Sequence, residues 1–170
     1  MEQQRFDQLL LRLKANKVTR WWERRGCSSS DIRALEDHYA ISLPTAYRWY
    51  LTTLGHRSGR LFRHDHLAVD LGHVLHMTEH VRKRMAQDGA ESQLPDNALV
   101  ILGRLGAYFQ FIRCDNGTDS PVWELHEDDW LLSADPIHQS TIEWLEFWTA
   151  EAESAIRTGY FRWLPGGTSP

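Results

Sequence analysis

Cysteine is scarce in this chain: only Cys27 and Cys114 occur among 170 residues. Two thiols cannot build a disulfide framework, and these two are far apart, unlike the paired spacing that holds zinc. Long apolar runs are missing as well. The longest, Ala98-Leu99-Val100-Ile101-Leu102, suits a strand and falls far short of a membrane span. Met1 to Asn16 is charged and amphipathic without the apolar core of a signal peptide, so the cytoplasm is the expected location. No Gly-x-Ser-x-Gly and no HExxH occurs, and Gly103 and Gly106 precede a strand pattern rather than a phosphate-binding helix. Neither cysteine has an evident base partner, and no carboxylate pair stands out for acid–base work. No catalytic residue, cofactor or metal is therefore assigned, and no enzyme activity is expected.

What is present suits one globular domain: hydrophobic residues make up 42% and charged residues 25%. We place a single domain over residues 1–165, with 1–27 as an N-terminal helical extension and 166–170 as a flexible tail. Eight tryptophans supply large core side chains and candidate contact anchors. His73, His76 and His80 share one helical face, but no carboxylate completes that face, so a solvated polar stripe is expected there. The segment Lys17 to Arg25 sets bases beside Trp21 and Trp22, as single-strand binders do, yet it is short and the chain is acidic overall. No direct nucleic-acid partner is expected.

Net charge is −4, and it is unevenly spread. From Asp115 to Glu153 there are eleven carboxylates and no lysine or arginine, while the rest holds twelve acids against nineteen bases. A surface carrying that acidic segment would steer a basic partner, unless basic segments fold against it.

Periodicity sets out the elements. Glu2 to Ala15 carries a helical stripe of Phe6, Leu9, Leu10 and Leu13. Ser28-Ser29-Ser30 caps a helix from Asp31 to Tyr39, and Pro44 opens another that Gly55 ends. Leu61-Phe62 and Leu67-Ala68-Val69 read as short strands, and Leu71 to Gln87 as a helix. The central stretch, Ala98 to His126, reads as an antiparallel meander, with Asn116-Gly117 as its tight turn and Pro121 opening the third strand. Alternation sends Phe109, Phe111, Trp123 and Leu125 toward helices and leaves Tyr108, Gln110, Glu124 and His126 on a mixed, partly wetted face. Trp130 to Ala134 reads as a last strand and Thr141 to Arg157 as a closing helix.

Several of these pieces, in this order, resemble the SUKH superfamily of Smi/Knr-like proteins. They are Ile32-Arg33-Ala34-Leu35-Glu36, Leu43-Pro44, Tyr47-Arg48-Trp49-Tyr50-Leu51, the meander with Pro121-Val122-Trp123, and Thr141-Ile142-Glu143-Trp144-Leu145-Glu146-Phe147. The loop Leu54 to Gly59 is poorer in glycine and asparagine than the family's usual one. The resemblance implies an α/β (α+β) fold, a mostly antiparallel sheet with helices packed mainly on one side. It also implies a bacterial immunity protein that binds and neutralises a cognate toxin domain, a basic nuclease cleft being a fitting target for carboxylates. The expected partner-binding residues are Asp115, Asp119, Glu124, Glu127, Asp128 and Asp129 as an acidic rim, with Tyr108, His126 and Trp130 packing at its centre. The alternative is an intracellular scaffold or regulator that binds endogenous partners or a small ligand on the same fold. Oligomeric state is not legible.

Overall fold

A computed structural model of the chain describes residues 1–90, 94–115 and 117–163, residues 162 and 163 without their side chains. The proposed tail and Asn116 of the expected Asn-Gly turn lie outside the described residues. Among the described residues five α-helices and two antiparallel sheets make an α+β fold, as expected. The helices are α1 (Glu2–Ala15), α2 (Ser29–Tyr39), α3 (Thr45–Leu54), α4 (Leu71–Gln87) and α5 (Thr141–Arg157). The main sheet runs β3 (Leu67–Ala68), β4 (Ala98–Arg104), β5 (Tyr108–Arg113) and β6 (Val122–His126), in that spatial order. A small ribbon pairs β1 (Arg24–Arg25) with β2 (Arg57–Ser58).

Local chemistry explains the helix starts. The Ser28 hydroxyl accepts from the amide of Asp31 while the Asp31 carboxylate accepts from the amide of Ser28, a reciprocal cap at α2. Asp70 and Ser140 cap α4 and α5, each side chain accepting from the amide three residues on. Phe6, Leu9 and Leu13 turn inward from α1, which packs on α3 and α5 although it precedes the signature motifs.

Helices flank both faces of the sheet, α4 on one and α5 on the other. A Cβ on Gly103 would touch the Sδ of Met77 in α4 and the ring of Phe109, so α4 covers the phenylalanine face. The opposite face meets α5: Trp144 donates its indole N–H to Oε1 of Gln110 at 2.7 Å. Gln110 is buried there, which corrects the expectation for that residue, while Tyr108, Glu124 and His126 keep the rest of the face partly wetted. Behind it Trp144 stacks on Phe62 at 5.3 Å and meets Tyr50 edge-on at 5.8 Å.

Three local expectations fail for tertiary reasons. Leu61-Phe62 lies in turns and is buried as core rather than paired as a strand. Trp130 to Ala134 makes only an isolated bridge, Leu125 to Leu132, because the chain turns left-handed at Trp130 with φ 53°. Residues 114–121 join β5 to β6, too many for the two-residue turn expected there. Instead the carbonyl of Thr118 accepts from the amide of Ala46, and Asp119 accepts from the amides of Ser120 and Thr141 at 2.8 Å each. The tight turn is β4–β5, where Leu105 and Gly106 have φ 53° and 75°.

Both flanks of the sheet are occupied. The amide of Val100 donates to the Thr78 hydroxyl of α4 at 2.9 Å, where β3 no longer pairs with β4. Along β6, the amide of Val122 donates to the carbonyl of His138, and the amide of Ile137 returns to Val122.

Candidate functional site

The β4–β5 turn and the segment after β6 meet at one end of the sheet. The amide of Ala107 closes the turn on the carbonyl of Arg104 at 3.2 Å, and the amide of Glu127 donates to the carbonyl of Ala107 at 2.8 Å. Two-residue turns of this hand favour asparagine, aspartate or glycine, which enter the left-handed region at least cost. Here Leu105 holds the first central position, and it is 74% exposed. Leu131, 61% exposed, projects from the adjoining segment. Asp128 and Asp129 adjoin it in the chain, Asp129 exposed and fixing the backbone by accepting from the amide of Leu131 at 3.0 Å.

A chain of side-chain hydrogen bonds ties this end to the core. Trp144 donates to Gln110, the Gln110 amide donates to the Tyr108 hydroxyl at 2.7 Å, and Tyr108 donates to Glu124 at 3.1 Å. His126 stands 3.8 Å from the same carboxylate, its ring centroid 5.0 Å from that of Tyr108. Burial, with the Glu124 charge beside it, pushes the Tyr108 hydroxyl up to about 12, so it stays a donor at neutral pH. The sheet end is therefore polar but rigidly set.

Between this face and α5 runs a groove of about 430 Å³, walled by His64, Arg104, Tyr108, His138, Phe147 and Trp148. Arg104 crosses its mouth to pair with Asp65 at 2.8 Å. Burial lowers the pKa of both His64 and His138, leaving the rings neutral near pH 7. His64 stands 5.8 Å from the Trp148 ring, and neither of its ring nitrogens has a hydrogen-bond partner among the described residues.

The nine expected contact residues do not form one rim. Tyr108, Glu124, His126, Asp128 and Asp129 gather at the sheet end. Glu127 is there too, but it is ion-paired with Arg84 of α4. Trp130 is buried at 3% exposure, stacked on Phe109 and donating to Asp88 at 2.8 Å, so it is a core residue and not a surface anchor. Asp115 and Asp119 lie beyond the opposite end of β6, about 17 Å of strand away. Asp119 is committed to the start of α5. Elsewhere in the acidic segment Glu146 pairs with Arg5 and Glu153 with Arg12, so remote arginines offset part of its charge. Sequence reasoning missed Leu105 and Leu131; a leucine before glycine between two strands was the available sign. His73, His76 and His80 lie on α4 outside its buried stripe, and among the described residues no three histidines, cysteines or carboxylates converge as a metal group.

A helix-flanked antiparallel meander that presents its turns at one end is a small α+β domain of a recognisable kind. The chain belongs to the SMI1 / KNR4 family (SUKH-1), which it matches over residues 26–146. That match takes in every strand of the main sheet and the first third of α5, and leaves α1 outside it. A comparison with functionally curated proteins returned no match. Among the described residues no helix is long and apolar enough to cross a membrane.

Proposed function

We propose that this chain is an immunity protein that binds and neutralises a cognate toxin by stoichiometric contact through the sheet end. Membership of the SUKH family supports a binding role, since its members are generally not enzymes. One observation carries the choice of surface: Leu105 is an exposed leucine held in left-handed backbone at the tip of a tight turn. A bulky residue in that conformation costs about 1–2 kcal/mol, and it leaves apolar surface in water. Entry of the side chain into a partner's pocket recovers the cost of exposure, and the strained backbone is what holds the side chain out for it. Leu131 supplies a second apolar contact, and Asp128, Asp129 and Glu124 border the pair with negative charge that speeds encounter with a basic cleft. In this reading the toxin is met in the cytoplasm, and the inhibitor performs no reaction.

The test separates binding from stability in one substitution. Leu105→Asn relieves the backbone and removes the apolar contact. It should raise the melting temperature slightly while weakening binding to the toxin domain encoded by the adjacent gene at least tenfold, by calorimetry on the purified pair. Asp128→Lys with Asp129→Lys should slow association and reduce its salt dependence. A Leu105→Asn variant that binds as tightly as the parent removes this surface from the site.

A further inference from the structure

The basic segment before α2 gains partners in the fold. β1 pairs antiparallel with β2, setting Arg25 opposite Arg57 and Arg24 opposite Ser58. Arg60 follows, tied by its amide to the carbonyl of Val18 at 2.8 Å, and Arg63 lies just beyond. As cross-strand partners Arg25 and Arg57 share one face of the ribbon, and among the described residues none of Arg20, Arg24, Arg25, Arg57, Arg60 and Arg63 is ion-paired with a carboxylate. Arg20 lies over the ring of Trp22 at 5.4 Å, and Trp21 and Trp22 meet edge-to-face at 5.6 Å. Both indoles stand in solvent, 74% and 56% exposed. Beside them opens a groove of about 430 Å³ whose walls include Trp22, His56, Arg57, Phe62 and Arg63.

Two carboxylates also line this groove, and both are already engaged. Glu23 accepts from the amide of Arg20 at 3.0 Å, and Asp70 caps α4 and bonds Nδ1 of His73 at 2.7 Å. The surface that remains combines unpaired planar cations with planar aromatic faces. We infer that this groove binds single-stranded nucleic acid, with bases stacking on Trp22 in its wall and on Trp21 beside it, and phosphates held by Arg57, Arg63 and the cross-strand neighbour Arg25. A positively charged track beside aromatic platforms is what a flexible strand recognises, whatever its sequence. An acidic polypeptide would satisfy the arginines but give the exposed rings no stacking partner. The segment read alone is too short for such a site; the ribbon and the turn after it add Arg57, Arg60 and Arg63 to its cations.

Anisotropy of a fluorescein-labelled oligo-thymidine of about 20 nucleotides tests this on the full chain. Binding should be present at 50 mM salt and fall about 20-fold by 200 mM, the dependence for roughly three phosphate contacts on a single strand. Trp21→Ala with Trp22→Ala should weaken it at least tenfold, and Arg57→Glu with Arg63→Glu should abolish it, with melting temperatures unchanged because these side chains lie at the surface. Leu105→Asn should leave it intact, so failure of the toxin reading and failure of this one are told apart. No anisotropy change at 50 mM salt overturns the inference. So does full binding by the double tryptophan variant, and so does a surface that binds polyglutamate but not the oligonucleotide.

Discussion

Replacing Trp144 by phenylalanine tests how the core fixes the sheet end. Trp144 is fully buried, stacked on Phe62, edge-on to Tyr50, and donates to Oε1 of Gln110. Phenylalanine keeps a six-membered ring and loses the pyrrole portion with its N–H. The missing contacts and residual space cost about 1 kcal/mol. The buried Gln110 oxygen loses its partner, adding about 2 kcal/mol. A loss near 3 kcal/mol lowers the melting temperature of a domain this size by roughly 6–12 °C. Urea unfolding should be followed by far-ultraviolet circular dichroism, because the substitution itself changes tryptophan fluorescence. Gln110→Leu in the same background removes the stranded acceptor, so the double variant should be more stable than the sum of the singles implies, by about 1 kcal/mol. A Trp144→Phe variant that loses less than about 1 kcal/mol, or a strictly additive cycle, refutes the assignment of the Trp144–Gln110 bond as a structural link.

Gly26→Ala should destabilise the fold by about 3 kcal/mol or more, since a Cβ there would run into the carbonyl oxygen of Thr52 and only backbone movement could relieve it; a shift in the urea midpoint measures it. Acid should weaken the fold in two stages. His64 and His138 have pKa values lowered by burial, so stability starts to fall as the pH drops below their ordinary value of 6.5, where the unfolded chain takes up protons first. Glu153 is held below its ordinary value of 4.5 chiefly by Arg12, and Glu36 by Arg48 and the Leu43 amide, which outweigh its burial. Their contribution is complete above 4.5 and is lost as the pH falls through the lowered folded values. His138→Gln should flatten the first stage and Glu153→Gln the second, in unfolding curves recorded from pH 8 to pH 3.

Long periodic elements are legible because each carries its own evidence. Helices α1, α4 and α5 run as the apolar spacing indicates, and α2 starts at the serines that the sequence offers as its cap. The hydrophobic run from Ala98 marks β4, and alternation marks β5 and β6. Sequence reading fails where a distant residue decides the outcome. Gln110 is buried because Trp144 meets it from 34 positions away, and Asp119 is drawn from the hairpin to the amide of Thr141. The acidic segment resembles one surface only while its neighbouring carboxylates are counted without Arg5, Arg12 and Arg84. Trp130 suggests an anchor because alternation gives no hint of the left-handed backbone that folds it under the sheet. The leucines of the sheet end escape notice for the converse reason: apolar residues are counted toward cores by default, and only the turn geometry shows them facing out.

With a helix hydroxyl bonded to Val100 on one flank of the meander and irregular chain bonded to Val122 on the other, an incoming peptide strand would have to displace existing bonds to extend the sheet there. Any ligand protein must then be chosen by what protrudes from the connections, not by main-chain zippering. Such a scaffold can exchange its recognition residues one at a time, acquiring a different target without repacking its interior.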